Sequence, residues 1–252
     1  MNFGESLHTL RFLTVIAICS AAPTVAAQQF ISNVGSGCAV PAVGGTITVP
    51  AAVAVAAGDT LLVALAVGSD AVPEFRVSDA RNNVYRPFGA ERANERRFAA
   101  LSFLAPVSTA LTSGDALRVH VDHPTPGMEV CFRASVFRRV AGSADALDTH
   151  GGREASGTSL TLNTSAASVG GTFNYATFAF SGDAGTVATQ GTVTAQARVC
   201  TAGNTLCLVT AYDTGTAAGI QTVAVSTTNS VPWAGSLSAL YAGFELFKNG
   251  FE

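Results

Sequence analysis

Lysine is almost missing from this chain of 252 residues: Lys248 is the only one, beside thirteen arginines. Charged residues make up 12% of the sequence, about half the usual share, and the net charge is −3. Tryptophan occurs once, at Trp233, and methionine twice. The glycine-rich G-x-x-x-x-G-K-[ST] loop that cradles phosphates is absent, as is the G-x-S-x-G elbow of serine hydrolases. The E-x-D-x-E strand signature of sandwich glycosidases is absent too, and no helical periodicity appears past the first 27 residues. Low charge does not imply disorder here, because 48% of the residues are hydrophobic and disordered chains combine low hydrophobicity with high charge.

What is present begins with an address. Arg11 precedes an apolar run, FLTVIAICSAA, and then small residues, PTVAAQQ. A basic start, a short greasy middle and a small-x-small site compose a secretory signal peptide. The expected cut follows Ala27, with Val25 and Ala27 in the small-residue subsites, so 1–27 is the signal and the mature chain starts near Gln28. The run is shorter than the roughly 20 residues a membrane helix requires. Ile18 ahead of Cys19 does not fit a lipid-attachment site.

Removal of Cys19 leaves Cys38, Cys131, Cys200 and Cys207, an even number in an oxidising compartment, which favours disulfides. Cys200 and Cys207 flank TAGNTL, a polar turn between two strand-like runs. Pairing those strands with residue numbers summing to 407 sets the two cysteines opposite each other, within disulfide reach. Cys38–Cys131 follows by elimination. A zinc site is not expected, since C-x6-C lacks the usual ligand spacing.

Period two dominates the mature chain. In ALRVHVDH, Leu117, Val119 and Val121 alternate with Arg118, His120 and Asp122; in EVCFRASVF, Val130, Phe132, Ala134 and Val136 alternate with Cys131, Arg133 and Ser135. Such alternation marks half-buried strands with one wet face. TLLVALAV (60–67) and YATFAF (175–180) are apolar on both sides and read as central strands. Strands are expected near 45–49, 60–67, 74–79, 84–89, 97–105, 116–123, 129–140, 158–163, 172–181, 191–200, 206–213, 220–227 and 233–242. The segment 141–159 reads as a long crossover loop. The expected fold is all-β: a single two-sheet antiparallel β-sandwich over 28–244, jelly-roll-like, with about a dozen strands.

From Gly58 to Ala242, the order GDTLLVALAV, VSDARNNVY, an aromatic strand and VPWAGSLSAL resembles a β-sandwich module of secreted bacterial surface proteins. In that family the second motif reads V-T-D-x-x-G-N-x-Y; Asn82 stands in place of the glycine, and Asn accepts left-handed turns. Asp79 and Asn83 are expected to cap the turn, with Tyr85 opening the return strand. The resemblance implies fold and location, not chemistry. The last residues, ELFKNGFE (tail 245–252), resemble a C-terminal G-F-E tail of exported proteins of some Gram-negative proteobacteria. That likeness implies sorting or retention at the outer surface; a terminal strand is the other reading.

Candidate chemistry is sparse. His120, Asp122 and His123 are close in sequence, but strand geometry sends His123 to the other side, so no metal set of three or more ligands is expected. Ser181 has no histidine placed to activate it. The acids Asp70, Glu74, Asp79, Asp115, Asp145 and Asp148 fall mostly in turns, where a structural calcium is a minor option; no other cofactor is expected. Ten of the thirteen arginines lie between 76 and 139, against six acids. Arg118 and Arg133, on the polar sides of their strands, are the candidates for a polyanion-binding face. Tyr85 and Phe88 are the candidates for stacking on sugars, and Trp233 reads as buried. The first expectation is a secreted or cell-surface non-enzymatic module for adhesion, matrix or ligand binding. A secreted polysaccharide hydrolase and a carbohydrate-binding module are the alternatives. The expected partner is an extracellular glycan or surface component, with no nucleic acid and no membrane span in the mature chain.

Overall fold

A computed structural model describes residues 28–42, 45–69, 73–93, 98–141 and 146–241. The expected signal segment, the C-terminal tail, Asp70 and Asp145 lie outside the described residues. Fifteen strands follow in chain order: β1 (Gln29–Ala39), β2 (Thr46–Pro50), β3 (Thr60–Gly68), β4 (Phe75–Asp79), β5 (Arg86–Ala93), β6 (Phe98–Pro106), β7 (Ala116–Val121), β8 (Glu129–Arg138), β9 (Leu147–Asn163), β10 (Phe173–Ser181), β11 (Val187–Thr189), β12 (Thr194–Ala195), β13 (Val199–Cys200), β14 (Leu206–Asp213) and β15 (Thr222–Leu240). Among the described residues the helical structure is a single 3-10 turn, Ala202–Asn204. No helix there is long and apolar enough to cross a membrane.

The all-β antiparallel expectation holds, but the sheets number three, not two. A central sheet runs β1-β8-β3-β6-β5. A small sheet, β2-β7-β4, covers one of its faces, and a large sheet, β11-β15-β10-β14-β12, covers the other, with β13 added to β14 and β9 to β15. Alternate residues of β3 show why. Leu61, Val63, Leu65 and Val67 join Ile47, Leu117, Val119 and Val121 in one core, while Leu62, Ala64 and Ala66 join Phe173, Tyr175, Leu208 and Leu240 in another. A strand apolar on both faces needs a layer on each side, and TLLVALAV has one.

The large sheet closes a third core on itself. β9 and β15 pair along most of their length, with a register break between Ser226 and Val231. Leu160, Leu162, Val223 and Val225, on one side of that break, pack with Phe178, Phe180, Val209 and Trp233. β9 curls so tightly that Ser165 N donates to the His150 carbonyl at 2.9 Å. Gly151 permits it, because a Cβ there would stand 2.0 Å from the Asn163 carbonyl oxygen. The segment 141–159, expected as a loop, therefore contributes the first part of a 17-residue strand. Its polar, Gly-rich composition suits a ribbon that bends and faces water on one side. The two segments expected at 220–227 and 233–242 form the one bulged strand β15, whereas 191–200 is broken into β12 and β13.

Both expected disulfides are present. Cys200 pairs in register with Cys207 between β13 and β14, and Cys38 with Cys131 between β1 and β8. Two formed bridges suit an oxidising compartment.

Candidate functional site

The small sheet turns its polar side to solvent. On β7, Leu117, Val119 and Val121 are buried while Arg118 and His120 face outward. Register places Thr46 and Arg76 beside His120, and Thr48 and Ser78 beside Arg118. The result is a three-strand platform about 10 Å wide, bearing three hydroxyls, two guanidinium groups and an imidazole.

Hydrogen bonds fix the platform. His120 Nδ1 lies 3.0 Å from Thr46 Oγ1, and its Nε2 lies 2.8 Å from Ser78 Oγ. A neutral ring donates through one nitrogen and accepts through the other, so one hydroxyl accepts and the other donates. Arg76 pairs with Asp122 at 2.7 Å. Further along, Arg81 pairs with Asp115 at 2.8 Å. The Thr112 backbone N–H, followed by Arg81, holds the Asp115 carboxyl below its ordinary range. Among the described residues Arg118 has no carboxylate partner, so its charge is free for a ligand.

One end of the platform opens into a cleft of ≈ 550 Å³ lined by Thr46, His120, Asp122, His123 and Pro124. His123 reaches it because β7 ends at Val121 and His123 adopts φ 60°. Strand alternation, which sends His123 to the opposite side, does not extend past the strand end. No three His, Cys, Asp or Glu side chains among the described residues converge as metal ligands.

Arg133, the other expected member of a basic face, is a correction. Val130, Phe132, Ala134 and Val136 do face one core, but Cys131 and Phe137, on the side expected to be wet, face another. Arg133 on that side is 4% exposed. β8 lies inside the central sheet with a sheet on each face, so Arg118 and Arg133 share no surface.

The aromatic candidates are also corrected. The Tyr85 hydroxyl donates to Asp79 Oδ2 at 2.9 Å, and burial, then the Asp79 charge, pushes its phenol far above the ordinary range. Phe88 packs toward Tyr175 in the core between central and large sheets, with ring centroids 6.0 Å apart. Both are only partly exposed, Tyr85 packed against the core under the small sheet and Phe88 against the middle one. Trp233 is buried as expected, edge-on to Phe178.

No family model, curated protein or solved structure matches this chain.

Two other clefts carry polar groups. One, ≈ 310 Å³, brings Ser181 near Glu129 and Thr205 at the strand ends, where Thr205 Oγ1 donates to the Glu129 carboxylate at 2.8 Å. The other, ≈ 410 Å³, lies along 213–221 beside Asp213. Among the described residues these three clefts are lined by Asp122, Glu129 and Asp213, one carboxylate each. Alternation in the sequence placed Arg118 and His120 on the polar side of β7, and Arg118 was the binding candidate it offered. It missed Thr46, Thr48 and Ser78, because hydroxyls at alternate strand positions are too common to mark a site.

Proposed function

We propose that this chain is an exported, non-enzymatic β-sandwich module of the extracellular space or cell surface, binding an acidic glycan through the outer face of β2-β7-β4. The observation that carries this reading is the platform itself: outward hydroxyls around Arg118, a guanidinium without a carboxylate partner among the described residues. Guanidinium pairs with carboxylate or sulfate in a fork geometry, and neighbouring hydroxyls bond sugar hydroxyls. The signal-like first 27 residues, the two disulfides and the resemblance to secreted surface modules support export.

The test is a glycan array and polysaccharide pull-down with purified mature protein, beside Arg118→Ala. The expected result is capture of acidic glycans that weakens with added salt and falls about tenfold in Arg118→Ala, or about 1.4 kcal/mol. Equal binding by both proteins would overturn the site. Turnover of any captured glycan, abolished by a single carboxylate substitution, would overturn the non-enzymatic assignment and favour the hydrolase.

A further inference from the structure

The layer between the central and large sheets is apolar toward both ends and polar across its middle. One row crosses the central sheet in register: Ser36, Arg133, Ala64, Ser102 and Gly89. A second crosses the large sheet: Ser236, Thr177 and Thr210, continued by Gln196, whose N–H bonds the Thr210 carbonyl. The rows meet where Ser102 Oγ and Thr177 Oγ1 lie 2.7 Å apart. Beside them, Ser135 Oγ lies 3.1 Å from both Gln196 Oε1 and Asn33 Oδ1, and Thr210 Oγ1 donates to Gln196 Oε1.

No carboxylate among the described residues pairs with Arg133, and its Nε and Nη1 have no acceptor. Ser236 Oγ, also facing this layer, is buried without a partner, and the Tyr175 hydroxyl is buried in the same layer beside Thr210. Arg133 and Tyr175 are near enough to influence each other's ionisation, and burial pushes the guanidinium's pKa down from its ordinary value. Arginine nevertheless does not lose its proton in proteins. Water can fill the open hydrogen bonds, but it does not neutralise the charge.

We propose that a chloride-sized monovalent anion is bound between the two sheets, held by the guanidinium of Arg133 and the hydroxyl of Tyr175. One buried positive charge calls for one negative charge. Packed sheet faces about 10 Å apart admit a single-atom ion more readily than a polymer or a large oxyanion. Ala64, in register between Arg133 and Ser102, presents only a methyl group beside Arg133 on this face. The anion is a structural ligand, distinct from anything bound by the outer platform.

The experiment is reversible thermal or urea unfolding of the mature, disulfide-intact protein at constant ionic strength, with chloride replaced by the bulky gluconate ion. Exchange from about 300 mM to about 1 mM chloride is expected to lower Tm by at least about 3 °C, because a ligand that binds only the folded state stabilises by mass action. Arg133→Met is expected to remove that dependence. Crystals grown from sodium bromide are expected to show anomalous scattering at the Arg133 guanidinium. Bromide data test the unaltered protein, so failure of Arg133→Met to fold does not blunt the experiment. A Tm indifferent to chloride, or bromide maps without a peak beside Arg133, would overturn the proposal.

Discussion

Asp79 shows how much one side chain organises here. Its Oδ1 accepts the backbone N–H groups of Arg81 and Asn83 at 2.8 and 3.2 Å, and its Oδ2 accepts Asn83 Nδ2 and the Tyr85 hydroxyl, both at 2.9 Å. Asn82 between them takes the left-handed conformation, φ 60°, as its place in the motif predicts. The capping roles of Asp79 and Asn83 were legible in the sequence, because an Asx side chain bonds its own chain a few residues on. The identity of the next strand's sheet was not: the turn carries the chain from the small sheet to the central one instead of closing a hairpin. A pH prediction belongs at this scale. Burial, chiefly, raises the phenol pKa of Tyr85 and Tyr175 above 10.0. In the unfolded chain both release a proton near that value, so the folded state binds more protons above it. The stability from keeping these phenols neutral is fully present below about pH 10 and is lost as pH rises further. Phenolate absorbance followed beside circular dichroism checks this: the expected result is that Tyr85 and Tyr175 ionise only with unfolding, and ionisation in a still-folded protein would refute it.

Among elements, the disulfides make a graded pair. Cys38–Cys131 joins positions 93 residues apart and ties the edge strand β1 to β8; Cys200–Cys207 spans 7 residues and ties β13 to β14. Loop-closure entropy scales with the logarithm of that separation, giving about 4.7 kcal/mol for the long loop and about 2.4 for the short one. Replacing Cys38 and Cys131 together by alanine is therefore expected to cost about twice as much in urea unfolding as replacing Cys200 and Cys207. Equal costs would show that the long bridge closes a loop already restrained in the unfolded chain. Spacing alone identified the short bridge, because a turn between two strands imposes a register. The long one needed only elimination.

Across the whole molecule, the middle core joins what a break at 141–159 would separate. Leu62, Phe98, Cys131 and Phe137 come from the first part of the chain, and Phe173, Tyr175, Leu208 and Leu240 from the second. Neither part retains its buried face alone. Residues 28–141 and 146–241 expressed separately are expected to lack the near-ultraviolet circular dichroism of fixed aromatic packing, and residues 28–241 in one chain to unfold in one transition by fluorescence and circular dichroism alike. A folded fragment, or two separated transitions, would divide the molecule into independent units.

The sequence by itself determined the strand class, the Cys200–Cys207 bridge and the Asp79 turn, because each follows from short-range geometry: a period of two, a register across a turn, a side chain bonding its neighbouring backbone; Cys38–Cys131 then followed by elimination. Only the tertiary structure decided the number of layers, and with it the fate of the polar residues. Alternation shows which side of a strand is polar but not what lies against that side. In β7 the polar side carrying Arg118 meets water; in β8 the one carrying Arg133 meets another sheet with a polar row of its own. The same pattern thus yields an open platform in one strand and, in the other, a buried cation with no carboxylate partner among the described residues.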